Sequence, residues 1–148
     1  MLKLLRYRQD FAEDFTEICE ATQNEWLGIS PQRWHQMENP QSEILERDGE
    51  IIMAEWNEAL VGTAFYSQRN GLYFLEGLCV LRDFRGLGIG RSLLNDLIST
   101  LMKRDIPGLY VELFDTAIHY VPWFEKKGFQ YVDGQPHLKQ RIRLVKYF

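Results

Sequence analysis

A glycine-rich loop between an apolar strand and a long amphipathic helix restricts the fold of this chain more than any other feature. The loop reads RGLGIGR over residues 85–91, the strand before it is predicted at Leu72 to Val80, and another apolar strand follows at Leu109 to Leu113. The helix between them has apolar residues at helical spacing: Ile89, Leu93, Leu94, Leu97, Ile98 and Leu101. A strand, a helix and a strand in this order predict one parallel β-α-β crossover.

The first third of the chain predicts one short strand and two helices. The strand is expected at Leu2 to Tyr7, and a helix opens at Asp10 with Glu13 at the capping-box position. A second helix begins at Ser30-Pro31, because serine caps helices and proline suits their first turn. It stops by Asn39-Pro40.

From Glu50 the apolar spacing changes to that of strands. Strands are predicted at Ile51 to Trp56 and at Leu60 to Tyr66. The segment Arg69-Asn70-Gly71 predicts a hairpin turn, because asparagine and glycine tolerate positive φ. Together with the strand before the glycine-rich loop, these residues predict an antiparallel meander.

The C-terminal part predicts a short helix and two more strands. The helix is expected at Pro122 to Lys127, and the strands at Phe129 to Val132 and Leu138 to Phe148 pair around Asp133-Gly134. We therefore predict an α/β fold with a mixed sheet. Its parts are an antiparallel meander, one parallel β-α-β crossover and a closing C-terminal hairpin.

Composition and charge exclude several classes of protein. The 148 residues fit one domain, residues 1–148, and are enough for a substantial core. The net charge of −4 argues against a nucleic-acid-binding surface, and no apolar run approaches the ~20 residues of a membrane span. The N-terminus becomes charged too early for a signal peptide, so a cytoplasmic location is expected. Cys19 and Cys79 lack metal-ligand spacing, so neither a metal site nor a disulfide framework is expected.

The glycine-rich loop carries most of the functional information in the sequence. Glycines at alternate positions let the main chain curl tightly and bring several N–H groups into one concavity. This concavity would lie at a helix N-terminus, where unpaired amides and the helix dipole favour an anion. Arg85 and Arg91 add positive charge at its two ends. The pattern predicts a ligand that contains a diphosphate.

Three phosphate-binding patterns compete for this loop, beside its interpretation as a plain strand-to-helix turn. A Walker loop needs GxxxxGK[ST], but Gly86 to Ser92 is one residue short and Arg91 replaces the lysine. A Rossmann loop needs GxGxxG directly after the strand, whereas here Leu81 to Phe84 intervene and the glycines run GxGxG. The third pattern, V-x-x-x-x-R-G-x-G-I-G, is present from Val80 to Gly90.

The third pattern resembles motif A of the GNAT family of N-acetyltransferases, in which this loop holds the pyrophosphate of coenzyme A. The segment Trp123 to Phe129, WFEKKGF, resembles motif B of the same family. The order of predicted elements is similar to that of the GNAT acyl-CoA N-acyltransferase fold. The resemblance implies acetyl-CoA as co-substrate and an amine-bearing small molecule or peptide as acceptor. Transfer would be direct, in a ternary complex and without a metal.

The resemblance also implies which residues contact coenzyme A. The pantetheine arm would pair with the end of the fourth strand, where a main-chain N–H around Cys79 would polarise the thioester carbonyl. Phe124 takes the position of the family's usual general-acid tyrosine. The implied contacts are Leu78, Cys79, Val80, Arg85, Gly86, Leu87, Gly88, Ile89, Gly90, Arg91 and Phe124.

Three residues are candidates for the acid–base chemistry of amine acetylation. Family members use a strand carboxylate to take the amine proton, which here is Glu76 or Glu112. Burial in an apolar strand would raise the pKa of such a carboxylate towards the value that a base needs near neutrality. Because Phe124 has no proton to give and Ala117 replaces a common asparagine, Tyr120 is the nearest candidate acid. Otherwise the thiolate leaves unassisted.

Other functions stay open at the level of sequence. A non-catalytic coenzyme A-binding module, acting as a sensor or assembly partner, is favoured by Phe124 and Ala117. A nucleoside triphosphatase is disfavoured by the missing lysine of the loop. The acidic chain selects a cationic acceptor only weakly. The last strand, ending at Val145 to Phe148, could pair across a homodimer.

Overall fold

The architecture is a mixed sheet with helices on both of its faces. It is seen in a computed structural model that describes residues 1–22, 31–132 and 141–148. Within these ranges the strands are β1 (Leu2–Arg6), β2 (Glu50–Trp56), β3 (Ala59–Arg69), β4 (Leu72–Val80), β5 (Gly108–Phe114), β6 (Gln130–Tyr131) and β7 (Arg141–Tyr147). The helices are α1 (Ala12–Ala21), α2 (Pro31–Gln36), α3 (Pro40–Glu46), α4 (Ile89–Lys103) and α5 (Val121–Lys126).

The strands lie in the order β1-β2-β3-β4-β5-β7-β6. From β1 to β4 each strand pairs antiparallel with the next. β4 and β5, which α4 connects, pair in parallel, and β7 pairs antiparallel with both β5 and β6. The predicted fold, with its meander, single parallel crossover and closing antiparallel pair, is confirmed.

The position of β7 bears on the predicted pairing across a homodimer. β7 lies between β5 and β6, so Val145 is opposite Tyr110 on one side and Gln130 on the other. Both hydrogen-bonding edges of the strand at Val145 therefore face strands of the same chain. The pairing of the last strand across a homodimer therefore stays a prediction, with Lys146 to Phe148 as the residues beyond the pairing with β6.

Two tight turns set the register of the meander. Asn57 and Glu58, between β2 and β3, have φ values of 49° and 74°. Asn70 and Gly71, between β3 and β4, have φ values of 52° and 82°. Positive φ at both central residues is typical of the type I′ turn, whose twist matches that of the flanking strands. The turn predicted from the Asn-Gly pair is confirmed.

Helices bury a separate apolar cluster on each face of the sheet. On one face α4 packs against β2, β3 and β4 and buries Leu93, Leu94 and Leu97, as its apolar stripe predicts. On the other face α1 and α3 bury Phe15 and Ile44 against β2 and β3. Helices thus cover both faces of the sheet at β2 and β3. The site described below lies at the C-terminal end of β4.

The predicted start of the first helix needs correction. A 3-10 turn over Gln9–Phe11 precedes α1, and no side chain caps α1 within the described residues. Asp10 pairs with Arg8 at 3.2 Å instead of capping the helix. The predicted capping box at Asp10 and Glu13 is therefore wrong, because the neighbouring guanidinium takes the carboxylate.

A further helix, α3, begins where the sequence predicted a stop. Oδ1 of Asn39 accepts a hydrogen bond from the N–H of Ser42 at 3.1 Å, and Pro40 is the first residue of the helix. Asparagine as N-cap and proline in the first turn are both favourable at a helix start. α2 thus ends at Gln36, before Asn39-Pro40, and this pair starts α3.

Several predictions fall outside the described residues. They are the cap at Ser30, the turn at Asp133-Gly134 and the first residues of the last strand, from Leu138. None of the helices in the described ranges is long and apolar enough to span a membrane.

Candidate active site

β4 and β5 separate soon after they meet, and this opening is the centre of the site. Their parallel pairing is limited to Phe74 with Tyr110 and Leu75 with Val111. β4 nevertheless continues to Val80. The main chain of β4 after Leu75 therefore faces an opening on its β5 side, where an extended ligand could add to the sheet.

A β-bulge in β4 marks the point of separation. Phe65 of β3 is opposite Gly77 and Tyr66 is opposite Leu75, so Glu76 is the extra residue. A Cβ at Gly77 would lie 2.2 Å from the ring of Phe65, so the bulge needs glycine at this position. Bulges redirect side chains and strands, and this one accompanies the divergence of β4 from β5.

The glycine-rich loop reaches the start of α4 in the conformation that its sequence requires. Gly86 and Gly88 have φ values of 80° and 81°, which glycine adopts without strain. Gly88 is the N-cap of α4, and within the described residues no side chain caps this end of the helix. The amides of the first turn are thus available to an anion.

A cavity of about 540 Å³ lies between the end of β4, the glycine-rich loop, the first turn of α4 and α5. It brings together most of the residues that the sequence singled out. Those that line it are Leu78, Cys79, Val80, Arg85, Gly86, Gly88, Ile89, Gly90, Arg91, Tyr120 and Phe124. Leu87 is the exception among the loop residues, because its side chain is 49% exposed and does not line the cavity.

The cavity is positively charged. Arg85, Arg91 and Lys127 line it, and no aspartate or glutamate is among its lining residues in the described part of the chain. Nε of Arg85 donates to the carbonyl oxygen of Val80 at 3.0 Å, which holds the loop against the end of β4. Cationic side chains, exposed amides and a helix N-terminus together favour an anionic ligand such as a diphosphate.

Sequence reasoning missed four residues that line this cavity. Phe84 and Trp123 add apolar surface, and Nζ of Lys127 lies 5.1 Å from the centre of the Trp123 ring. Both Trp123 and Lys127 belong to the WFEKKGF segment, so the resemblance of that segment to motif B could have indicated them. Thr22 follows α1 and belongs to no motif that could have indicated it. Only the folded sheet brings the end of α1 next to Cys79.

Glu76 lies outside this cavity, on the sheet face that α1 and α3 cover. Its side chain is 5% exposed. Oε1 accepts a hydrogen bond from the hydroxyl of Ser67 at 2.7 Å, and Oε2 accepts one from Arg47 at 3.4 Å. Nε of Arg69 is 3.5 Å from Oε1. The carboxylate is thus buried, with its shortest bond to a neutral group.

Arginine side chains bind the carboxylate of Glu112 at shorter distances than those around Glu76. The oxygens of Glu112 accept hydrogen bonds from Arg69 at 2.9 Å and from Arg143 at 3.0 Å. Burial raises the pKa of Glu112, but the hydrogen bonds and the charges of the two arginines together outweigh burial, so its pKa lies below the ordinary value of 4.5. The expectation that burial in the strand raises the pKa of this carboxylate overall is wrong for Glu112.

The sequence profile of the acetyltransferase (GNAT) family matches residues 7–129. This match covers most of the chain, including the loop, the opening and the cavity. The chain belongs to the GNAT family. No curated protein matches the sequence significantly.

Solved structures of GNAT proteins share the fold. A GNAT family acetyltransferase from Staphylococcus aureus Mu50 is 22% identical over 99% of both chains, with a TM-score of 0.79. The PaiA N-acetyltransferase from Thermoplasma acidophilum, solved in complex with coenzyme A, is 12% identical over 100% of this chain and 99% of its own, with a TM-score of 0.77. A ribosomal-protein-alanine N-acetyltransferase from Brucella melitensis is 19% identical over 99% of both chains, with a TM-score of 0.76.

Phe124, which the sequence analysis predicted to take the position of the family's tyrosine acid, is a packing residue in this GNAT chain. Phe124 is buried, and its ring contacts those of Trp123 and Phe129 at centroid distances of 5.1 and 5.2 Å. Tyr120, the candidate acid, ends a 3-10 helix over Asp115–Tyr120 and lines the cavity half-buried. Of the two residues, only Tyr120 carries a hydroxyl at the cavity.

The two cysteines, distant in sequence, lie together beside the cavity. Both are buried thiols in the apolar cluster under α1, and Cys79 also lines the cavity. Burial, with a hydrogen bond between the two side chains, raises the pKa of Cys19 far above its ordinary range. The Cys19 thiol therefore stays protonated and acts in packing, not as a nucleophile.

The ion pairs of Glu112 predict a defined dependence of stability on pH. Because the folded-state pKa is depressed, this glutamate stabilises the fold above its ordinary pKa of 4.5 and stops doing so as the pH falls through the folded-state value. We expect Glu112→Gln to lower the free energy of unfolding at neutral pH by about 1–2 kcal/mol, since its partners are partly exposed. Below pH 4.5 the difference from wild type should shrink.

Urea unfolding at a series of pH values measures this difference. Glu17→Gln, at an exposed position on α1, is the matched control and should leave the pH dependence unchanged. A constant difference between Glu112→Gln and wild type across the acid range would contradict the prediction.

Proposed function

We propose that this GNAT protein transfers the acetyl group of acetyl-CoA directly to an amine in a ternary complex. The observation that carries the proposal is the positively charged cavity, which runs from the glycine-rich loop to the opening between β4 and β5. The loop could bind the diphosphate of coenzyme A, and the end of β4 could pair with its extended pantetheine arm. The coenzyme A complex of the Thermoplasma neighbour supports the same ligand class here.

The loop and the strand would each hold one part of the donor. The N–H groups around Gly86, Gly88 and Gly90 would bind the diphosphate, with Arg85 and Arg91 as counter-charges. The pantetheine arm would pair with β4 along Leu78 to Val80, and an N–H around Cys79 would donate to the thioester oxygen. A strand backbone suits this role because its position is fixed before the reaction.

We assign the role of general base to Glu76 rather than Glu112. The two arginines that lower the pKa of Glu112 make it a poor proton acceptor. Glu76 has its shortest hydrogen bond to the neutral hydroxyl of Ser67 and sits at the bulge where β4 leaves β5. Cys79 is three residues further along β4, roughly 10 Å away at strand spacing, so Glu76 would act through water.

The proposed reaction balances with these groups. The amine nitrogen bonds to the acetyl carbon, the carbon–sulfur bond breaks, and one amine proton passes to Glu76. The departing thiolate takes a proton from Tyr120 or from solvent. A thiol pKa of ~8.5 makes the unassisted departure tolerable, so the loss of the usual tyrosine at Phe124 affects the rate more than the type of reaction.

The acceptor is an amine on a small molecule or a peptide. The Brucella neighbour is named for acetylation of an alanine in a ribosomal protein, which supports a peptide amine as one possibility. The competing function is a non-catalytic coenzyme A-binding module. Phe124 and Ala117, which replace the family's polar side chains with buried apolar ones, are the observation that favours it.

Release of free thiol from acetyl-CoA across a panel of amines distinguishes the two functions. For an acetyltransferase we expect thiol release that depends on the amine and yields one acetylated amine per thiol. Tight binding of coenzyme A without thiol release for any amine would instead favour the module.

A further inference from the structure

Four arginines gather on the sheet face opposite α4, around the point where β4 and β5 separate. Arg69 ends β3, Arg47 follows α3, and Arg141 and Arg143 belong to β7. We call Arg47, Arg69, Arg141 and Arg143 the arginine cluster. Its members come from distant parts of the sequence and meet only because β7 lies next to β5.

The arginine cluster carries more positive than negative charge. In the part of the chain that the structure describes, its ion pairs lead to two carboxylates, those of Glu76 and Glu112. Among these described groups, four guanidinium groups therefore face two carboxylates, which is an excess of two positive charges. Arginine is always protonated, so the excess persists at any physiological pH.

Aromatic rings hold three of the four guanidinium groups in place. The guanidinium carbon of Arg69 lies 3.8 Å from the centre of the Phe74 ring, and that of Arg143 lies 5.2 Å from the same centre. Arg141 lies 5.0 Å from the centre of the Phe114 ring. Stacking on a ring uses the face of a guanidinium and leaves its N–H edge for an anion.

Arg141 is the member best placed to meet a ligand. Its side chain is 57% exposed, and its closest approach to Glu112 is 4.0 Å, longer than a hydrogen bond. Arg143, 41% exposed, lies beside it and already binds Glu112. The two side chains project from β7 next to the last residues of β5.

The position of the arginine cluster relates it to the acceptor. Glu76 and Glu112 directly follow the last paired residues, Leu75 and Val111, so the cluster lies where the opening begins. The thioester, in the proposed function, lies at Cys79, roughly 10 Å further along β4. An acceptor that enters the opening from this face would bring its amine to the thioester and the rest of its structure beside the arginines.

We propose that the amine acceptor also carries a carboxylate, which the arginine cluster binds through Arg141 and Arg143. This inference rests on the proposed function and narrows its substrate class. It reverses the weak preference for a cationic acceptor that the net charge of −4 suggested, because the local charge at the site is opposite to that of the whole chain. A bidentate guanidinium–carboxylate pair would orient the acceptor as well as bind it.

Matched pairs of acceptors test the inference with the wild-type protein. Each pair consists of a short peptide with a free C-terminal carboxylate and the same peptide as its amide, which keeps the amine itself nearly unchanged. We expect kcat/KM for the acid to exceed that for the amide by about tenfold or more. Equal or better acetylation of the amides would overturn the inference and leave the proposed function intact. No thiol release with any amine would overturn the proposed function, and the inference with it.

Arginine variants locate the effect. Arg141→Gln should raise KM for the acid by about tenfold and bring the acid-to-amide ratio close to one. Arg8→Gln is the matched control, because Arg8 is similarly exposed, pairs with Asp10 and lies over the ring of Phe11. That control should keep the ratio. An acid-to-amide ratio unchanged in both Arg141→Gln and Arg143→Gln would overturn the assignment to these residues.

Discussion

Replacing Gly90 with aspartate is expected to lower the affinity for coenzyme A and its acetyl ester by about a hundredfold or more, because a like charge would face the diphosphate. Gly90 lines the cavity in the first turn of α4 and does not have positive φ. The nearest atom to a Cβ there would be Cγ2 of Val80 at 3.9 Å, so the side chain fits the fold. An aspartate near a helix N-terminus also stabilises the helix.

Calorimetric titration with coenzyme A measures this loss, and thermal unfolding shows that the variant is folded. Asn95→Asp is the matched control, since it adds the same charge to an exposed position of α4 that does not line the cavity. Its dissociation constant should stay within a few-fold of the wild type. A Gly90→Asp protein that is folded and binds coenzyme A normally would show that the ligand does not use this helix end.

Replacing Glu76 with glutamine is expected to lower kcat by about a hundredfold or more, which is the usual contribution of a general base. Glutamine keeps the shape of the side chain and its hydrogen bond with Ser67, but it cannot accept a proton from the amine. The affinity for acetyl-CoA should change little, because Glu76 does not line the cavity.

Glu112→Gln serves as the comparison in the same assay. Because the arginines around Glu112 make it a poor base, this variant should keep most of its kcat even if it is less stable. Wild-type turnover in both variants would remove the carboxylate-base mechanism. A larger loss in Glu112→Gln than in Glu76→Gln, in folded proteins, would move the role to Glu112.

Most of the residues that line the cavity could be predicted because they are close in sequence. The strand end, the loop and the first turn of α4 all lie within Leu78 to Arg91, and glycine is informative where positive φ is required, as at Gly86 and Gly88. The residue types of this one segment therefore indicate both its conformation and the anion that it could bind. The lining residue Thr22 shows the limit, since it reaches the cavity only through the packing of α1 on the sheet.

The arginine cluster could not be predicted in the same way. The arginine cluster joins side chains as far apart as Arg47 and Arg143, and their meeting depends on the bulge at Glu76 and on the order of strands around β5. The total charge gave no sign of this local excess of arginine for the same reason, because it averages over the whole surface. The lowered pKa of Glu112 likewise follows from its arginine partners in space, which together outweigh the effect of burial in the strand.

Amide spectra of the protein during titration with acetyl-CoA test most directly whether the glycine-rich loop holds the donor. The ¹H–¹⁵N signals of Gly86, Gly88 and Gly90 should shift most, together with those of Leu78 to Val80. These shifts should saturate with increasing ligand, and one dissociation constant should fit all of the titration curves. Saturable binding that leaves the loop signals in place, or no binding to folded protein, would contradict the account.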